Sequence, residues 1–162
     1  MMSLLIISII MAILYVGVAI WKLHALPDSI SAMVYVLDKR WQWLWSVWLW
    51  LVAITLPPSL IDAMGENWQF IGFLTIACLM FVGAMPLIPG THNKTHNVLG
   101  VIAGILSQVC VAIIYPWWLM AWFVWIMAAL YTAYNVNDIF EGKAIFMAEF
   151  VCWLSLTGSL LF

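Results

Sequence analysis

Charged residues are scarce in this sequence, and their scarcity defines its class. Only 7% of the 162 residues are charged and 67% are hydrophobic, whereas soluble domains average about 25% and about 45–50%. A soluble fold of this size has too little polar material to cover so much apolar surface. The net charge of −2 also excludes an electrostatic nucleic-acid binder, which needs a basic stripe. We therefore expect an integral membrane protein whose partners include membrane lipids but no nucleic acid.

Cysteines and enzyme signatures are also few. Cys78, Cys110 and Cys152 each lie in an apolar run. Three cysteines at membrane depth argue against a disulfide framework, and their spacing matches no zinc motif. The sequence has no P-loop, Rossmann, nucleophile-elbow or zincin motif. It also has no mid-helix lysine for a retinal Schiff base and no run of gating arginines. These absences remove several well-marked function classes.

Long apolar runs predict the fold. A helix needs about 20 apolar residues to span a bilayer, and six segments approach that length: Ser3–Ile20, Trp41–Leu56, Phe70–Ile88, His96–Tyr115, Trp117–Tyr134 and Ala144–Phe162. Pro116 lies between the fourth and fifth segments. Because proline is tolerated at a helix start, we expect a new helix to begin there. We predict an all-α bundle of six transmembrane helices that forms a single domain over residues 1–162.

The distribution of basic residues predicts the orientation. All five lie in or beside the first, third and fifth connections: Lys22, Lys39, Arg40, Lys94 and Lys143. The second connection carries Asp62 and Glu66 and no basic residue. By the positive-inside rule, the odd connections face the cytoplasm and both termini lie outside. The first segment lacks the basic n-region of a signal peptide, so we expect it to be retained as a span.

Polar residues concentrate at the predicted cytoplasmic end. The first connection carries His24 and Asp28, and a short amphipathic helix after Pro27, capped by Asp28 or Ser29, is expected at the membrane interface. The third and fifth connections contribute His92, His96, Tyr131, Asn135 and Asp138. We predict that these side chains form a polar vestibule that binds a ligand.

Glu149 is a carboxylate inside the sixth segment. It lies about 9 Å along that helix from Lys143 at about 1.5 Å per residue, just inside the predicted hydrocarbon edge. Intramembrane carboxylates are costly and mark a function or a specific partner. Two interpretations remain open: Glu149 bonds to a neighbouring helix end near the interface, or it faces the bundle and forms a site with His92 or His96.

The histidine pair predicts a metal site under one condition. If Thr91 caps the fourth helix, His92 and His96 lie four residues apart on one face, a spacing that can hold a metal ion. If Thr95 is the cap, His92 stays in the loop. Zinc is the candidate ion, with His24 as a third ligand. Interfacial hydrogen bonding and proton handling or ligand contact are the alternatives.

One stripe on the fourth helix contains polar or small residues at every fourth position: His96, Gly100, Gly104 and Gln108. The glycines predict a helix-packing seam, and Gln108 needs a hydrogen-bond partner near the middle of the membrane. Alternatively, the stripe lines a crevice leading from the histidines.

The sequence also has 12 tryptophans. Those deeper than the interfacial belts, such as Trp48 and Trp122, pack between helices or line an apolar cavity.

Two resemblances bear on function. The stretches FVGAMP (81–86) and THNVLG (95–100) are similar to uncharacterised small multi-pass bacterial membrane proteins, which implies the bacterial inner membrane and no known activity. Three histidines, an HxxxH pair and nearby Ser and Asp resemble the alkaline ceramidase and adiponectin receptor superfamily of membrane hydrolases. In that superfamily the HxxxH pair lies in the last of seven helices, whereas here it opens the fourth of six.

Three function classes follow from these observations. The leading hypothesis is a protein that binds a lipid or small amphipathic ligand in its vestibule, as a carrier, sensor or accessory subunit. The second is a metal-dependent intramembrane hydrolase with His24, His92 and His96 as ligands and Asp28 or Glu149 as the catalytic general base. The third is a structural subunit whose tryptophan-rich faces contact a homo-oligomer or a larger membrane complex.

Overall fold

The fold is known from a computed structural model, which describes residues 2–88, 93–134 and 143–162. All regular elements in these ranges are helical, so the all-α prediction is confirmed. The α-helices are α1 (Met2–Leu23), α2 (Trp43–Thr55), α3 (Pro57–Met64), α4 (Gln69–Ala84), α5 (Asn93–Ile114), α6 (Ala121–Tyr134) and α7 (Ala144–Leu161). Short 3-10 helices cover Ser31–Val36, Lys39–Trp41, Met85–Leu87 and Pro116–Met120.

Five helical stretches in the described ranges are long and apolar enough to cross a membrane: Met2–Leu23, Lys39–Met64, Gln69–Leu87, Thr95–Ile114 and Ala144–Leu161. These correspond to five of the six predicted spans. The remaining predicted span is a shorter apolar helix, Pro116–Tyr131. The chain is therefore a helical protein of the membrane class, with five full-length candidate spans and one shorter helix.

The second span is longer than the sequence predicts. We expected it to end at Leu56, before two prolines, but α3 continues the same span to Met64. Pro57 and Pro58 occupy the first turn of α3, where a missing N–H costs little. The N–H of Leu60 still donates to the Leu56 carbonyl at 3.1 Å, so the backbone ladder resumes at once. The span ends at Gly65, whose φ of +64° suits glycine.

Contacts between distant residues bring three parts of the chain to one end of the bundle. Asp28, in the connection after α1, forms an ion pair with Lys143 at the start of α7. Trp45, in the first turn of α2, lies beside His96 in the first turn of α5, with ring centroids 6.0 Å apart. The ends that carry most of the basic residues therefore lie together, as the positive-inside pattern requires of connections on one side.

Candidate functional site

Glu149 on α7 holds the connection between α1 and α2, which we call loop 1 (residues 24–38). Its carboxylate accepts hydrogen bonds from the backbone N–H of Ile30 and, at 3.4 Å, from that of Ser31. The Ser31 hydroxyl donates to the other carboxylate oxygen at 3.2 Å. Glu149 therefore caps the 3-10 helix Ser31–Val36, and an anion suits this position because the first N–H groups of a helix point outward unpaired.

This arrangement bears on the interpretation of Glu149 and corrects one expectation. Glu149 bonds the end of a neighbouring helix through Ile30 and Ser31, whereas a shared site with His92 stays a prediction because His92 lies outside the described residues. The expected cap by Asp28 or Ser29 is wrong: the residue at the cap position is Ile30, without a side-chain cap bond. The capping group comes from α7, which a local sequence pattern cannot indicate.

Two further contacts fasten loop 1 to α7. Lys143 forms an ion pair with the Asp28 carboxylate, and the Phe146 N–H donates to the Asp28 carbonyl at 3.2 Å. The Asp28 side chain is 81% exposed, so this ion pair contributes little to stability because water screens it. The half-buried hydrogen bonds of Glu149 are the stronger part. We call the Glu149 bonds and the two Asp28 contacts the loop-1 latch.

Loop 1 closes the end of the bundle. Met33 and Val34 are buried, at 0% and 3% exposure, in one hydrophobic cluster with residues of α1, α2 and α4. Ile30 and Leu37 pack against the same cluster. The apolar face that was expected at the membrane interface therefore packs into the protein, and the latch holds the segment against α7.

Beneath loop 1 lies a group of rings from four helices, which we call the aromatic cluster: Tyr15, Trp45, Trp48, His96 and Trp153. Tyr15 stacks on Trp48 with centroids 4.3 Å apart and planes 18° from parallel. Trp45 lies 6.5 Å from Trp48 and 6.0 Å from His96. Trp153 packs against the same buried residues. The cluster thus joins α1, α2, α5 and α7, and it packs with Met33 and Val34 of the loop in one hydrophobic group.

Several polar atoms in this region are buried without a hydrogen bond. The Tyr15 hydroxyl and the indole nitrogens of Trp45 and Trp153 find no partner within residues 2–88, 93–134 and 143–162. The Ser46 hydroxyl, next to Trp45 in the chain, shares this condition in the same ranges. Leaving a buried donor unbonded costs about 1–3 kcal/mol, and native interiors pair nearly all such atoms. Several in one region therefore need an explanation.

Gln108 lies in a different polar group, which we call the Gln108 centre: Gln108 with Ser107, Trp122, Ser155 and the Cys152 carbonyl. Gln108 Oε1 accepts from the Trp122 indole at 2.8 Å and lies 3.0 Å from Ser155 Oγ. Gln108 Nε2 lies 3.0 Å from Ser107 Oγ and 3.4 Å from the Cys152 carbonyl oxygen. The expected mid-membrane partner is thus supplied by the protein. Contact between Gln108 and a ligand stays a prediction. It requires Gln108 to give up one of these hydrogen bonds and to form one with the ligand instead.

Of the other predicted site residues, the structure describes His24 and Tyr131. His24 is exposed at the end of α1 with φ of +53°, and Tyr131 is exposed on α6. His92, Asn135 and Asp138 lie outside the residues that the structure describes. Within those ranges, no group of three or more His, Cys, Asp or Glu side chains is placed to hold a metal ion. The zinc hypothesis, which depends on His92, stays a prediction.

The predicted glycine seam is half correct. A Cβ at Gly104 would lie 3.6 Å from Cys152 Sγ on α7, whereas one at Gly100 would meet no described atom within 4 Å. Two of the three closest glycine contacts are with tryptophans, and the third, at Gly72, is with Ile61. A Cβ would lie 3.0 Å from Trp50 at Gly83 and 2.6 Å from Trp118 at Gly158. A search for paired glycines misses such contacts because the partner is an indole ring.

Sequence reasoning also missed Tyr15 and Trp153 as site residues. Both are aromatic rings with a polar tip, placed in the middle of a predicted span and away from the interfacial belts. That combination is the signal that could have found them, since a buried Tyr or Trp normally needs a hydrogen-bond partner.

Comparisons of the chain with protein-family models, with curated proteins and with solved structures find no match. Function is therefore argued from the site itself.

Proposed function

We propose that this protein spans the bacterial inner membrane six times with both termini outside, and that it binds a lipid or another small amphipathic ligand at its cytoplasmic end. The ligand site lies between loop 1 and the aromatic cluster. The observation that supports it is the placement of loop 1, whose Met33 and Val34 are buried in one cluster with Trp45 and Trp48. The half-buried carboxylate of Glu149 holds the loop there. Ligand sites of helical bundles commonly lie between helices and are lined by aromatic side chains.

The way loop 1 is attached suits a segment that opens. Its exposed ion pair is weak, so the Glu149 bonds to Ile30 and Ser31 carry most of the polar attachment by side chains. Elements that admit ligands come from the less stable parts of a structure. Opening loop 1 would expose Met33, Val34 and the rings below, and would admit a ligand from the cytoplasmic leaflet. This behaviour fits a carrier, a sensor or an accessory subunit.

Retention of lipid by the purified protein tests the binding function. Wild type in mild detergent should carry a stoichiometric ligand, detected by native mass spectrometry and identified after extraction. Glu149→Ala should lose it, because loop 1 no longer closes. Glu66→Ala is the matched control: it removes an exposed glutamate from the α3–α4 connection and should retain the ligand. Glu149→Gln, which keeps the shape of the side chain, covers the case in which Glu149→Ala does not fold.

Two results would contradict the function. One is a wild-type protein without bound ligand that also takes up none from a bacterial lipid extract. The other is equal ligand content in wild type and in a folded Glu149→Ala variant. The first result removes the binding function, and the second removes the role of the latch.

Cysteine labelling tests the orientation. A single cysteine at Asn67, which is exposed between α3 and α4, should react with an impermeant maleimide in intact cells. One at Asn93, at the start of α5, should react only after permeabilisation. Replacing Cys78, Cys110 and Cys152 with serine or alanine removes background labelling. The opposite pattern would reverse the orientation, and labelling of both from outside would refute an odd number of crossings between them.

A further inference from the structure

The buried polar atoms of the aromatic cluster can recognise only one kind of group. An indole nitrogen donates a hydrogen bond and cannot accept one, and the Tyr15 hydroxyl can also donate. Trp45 is only 1% exposed, so water does not compete for its N–H from outside. The three donors of Tyr15, Trp45 and Trp153 have no acceptor in the part of the chain that the structure describes. A ligand that satisfies them must bring hydrogen-bond acceptors, of which oxygen atoms are the commonest.

The electrostatic surroundings favour a neutral acceptor over an anion. Lys22, Lys39 and Arg40 are exposed, and Lys143 is engaged by Asp28. A phosphate or carboxylate brought into the cluster would therefore lack a buried cation among Lys22, Lys39, Arg40 and Lys143, the four basic residues whose side chains the structure describes. An uncompensated buried charge is strongly unfavourable. A carbonyl oxygen accepts the same hydrogen bonds without that cost.

The neighbours of the three donors suit an apolar body attached to the carbonyl. The rings of Trp48 and His96 and the buried side chains of Met33, Val34 and Leu49 surround the donors with apolar and flat surfaces. Such surroundings accommodate an acyl chain or a planar ring, and they add no further charge.

We propose that the aromatic cluster is a binding site for a neutral carbonyl-bearing amphiphile, whose carbonyl oxygens accept hydrogen bonds from Tyr15, Trp45 and Trp153. This inference rests on the proposed function and names the ligand class for that site. Two sources supply the same chemistry: the ester carbonyl of a diacyl lipid and the ring carbonyl of a quinone. Loop 1 covers the site and the Glu149 latch controls access to it.

Tyr15→Phe gives a test in which two measurements move in opposite directions. The substitution removes one hydroxyl and keeps the ring stacked on Trp48. Affinity for the ligand should fall about three- to tenfold, the usual effect of losing one neutral hydrogen bond. The thermal midpoint of the ligand-free protein should stay or rise, because an unbonded buried hydroxyl is removed. Tyr115→Phe, at an exposed tyrosine after α5, should change neither quantity.

Three probes distinguish the ligand sources: dioleoylglycerol, its dialkyl ether analogue and decylubiquinone, each titrated into delipidated protein and followed by native mass spectrometry. The ether analogue has the same head group and chains but no ester carbonyl. A lipid ligand requires the ester to bind more tightly than the ether, and a quinone ligand requires decylubiquinone to bind more tightly than both. Equal binding of ester and ether without binding of decylubiquinone would overturn the carbonyl assignment.

An indole without its N–H tests the tryptophans without changing their shape. Incorporation of 3-benzothienylalanine at position 45 should weaken binding of the preferred probe about three- to tenfold. The same replacement at position 122 removes a donor that is already bonded to Gln108. It should lower the thermal midpoint and leave probe affinity unchanged. Equal effects at the two positions would overturn the assignment of Trp45 to the ligand.

The remaining alternative is an acceptor from the chain itself, in the residues that the structure does not describe. In that case Tyr15→Phe would lower the thermal midpoint. Its effect on stability would be non-additive with that of the variant that removes the acceptor: His92→Ala, Asn135→Ala or Asp138→Ala. That result overturns the carbonyl site even if the protein binds lipid. Tight binding of a probe by wild type with unchanged affinity in Tyr15→Phe also overturns it. In both cases the proposed function survives, whereas absence of any bound ligand refutes that function.

Discussion

The aromatic cluster and the Gln108 centre are two polar regions inside one apolar bundle, and both contain tryptophan. At the Gln108 centre, the Trp122 indole donates to Gln108 and each polar atom of the amide has a partner from the protein. In the aromatic cluster, the indole nitrogens of Trp45 and Trp153 are buried but have no partner in the described ranges. The same side chain is thus satisfied in one region and unsatisfied in the other.

This difference distinguishes a polar group that holds helices together from one that is suited to bind a ligand. A bonded amide between α5, α6 and α7 orients three helices, since breaking any of its bonds would leave a polar atom in a medium without water. Unbonded donors have the opposite energetics: they destabilise the ligand-free fold and become favourable only when an acceptor arrives. We therefore expect substitutions at the Gln108 centre to change stability, and substitutions in the aromatic cluster to change binding.

The loop-1 latch should show the largest effect, because it closes the region that we assign to binding. Glu149→Ala removes a carboxylate that accepts from Ile30 and Ser31, and hydrogen bonds to a charged group contribute about 1.5–3 kcal/mol. We expect the free energy of unfolding to fall by about 3 kcal/mol. Amide hydrogen exchange of residues 28–37 should become faster than in wild type. Unchanged exchange in loop 1 would show that Glu149 does not hold it.

Close packing beside the Gln108 centre should give the next largest effect. Gly104 faces Cys152, whose carbonyl accepts from Gln108, so a larger side chain would push α7 away and stretch that bond. Gly104→Leu should cost about 2 kcal/mol, within the usual range for overpacking. Gly100→Leu, one turn earlier and without a neighbour in the described structure, is the control and should be nearly neutral. Equal thermal midpoints for the two variants would mean that Gly104 faces lipid.

Removing the amide itself should have a smaller effect. Gln108→Leu leaves the Trp122 indole without its acceptor, and interhelical hydrogen bonds in membranes contribute about 0.6 kcal/mol on average, up to about 1.7. We expect a loss of about 1 kcal/mol in detergent, with probe affinity at the aromatic cluster unchanged. A double-mutant cycle with Trp122→Phe should show coupling between the two positions. Loss of ligand binding in Gln108→Leu would remove the distinction between the two regions.

Sequence reasoning predicted the helices well, because each follows from a local property. An apolar run of about 20 residues indicates a span wherever it occurs, and only the double proline at 57–58 led to a wrong end. The arrangement of loop 1 follows from contacts that are not local. Glu149 caps backbone groups 118 and 119 residues away, and neither Ile30 nor Ser31 carries a pattern that indicates such a partner.

The site residues, too, could be predicted only where their own chemistry is informative. Gln108 was predicted to need a partner because an amide inside a membrane is unusual in itself. Tyr15 and Trp153 were not singled out, because an aromatic residue in an apolar span is common and its polar tip is informative only when its surroundings are known. Whether a donor is bonded is a property of the packed structure. The sequence can indicate which side chains need a partner, but it cannot indicate which of them lack one.

The smallest expected effect is the coupling between Glu149 and His96, which the sequence placed in one shared site. The structure brings Glu149 to Ile30 and Ser31 and packs His96 against Trp45. Side chains without shared partners usually contribute additively within about 0.3–0.5 kcal/mol. We therefore expect Glu149→Gln and His96→Ala to have additive effects on the free energy of unfolding, measured in a double-mutant cycle.

Glu149→Gln with Ser31→Ala is the positive control and should be non-additive, because the Ser31 hydroxyl donates to Glu149. A coupling above about 1 kcal/mol between Glu149 and His96 would restore a histidine–carboxylate site at this end of the bundle, and would make His92 the next residue to replace.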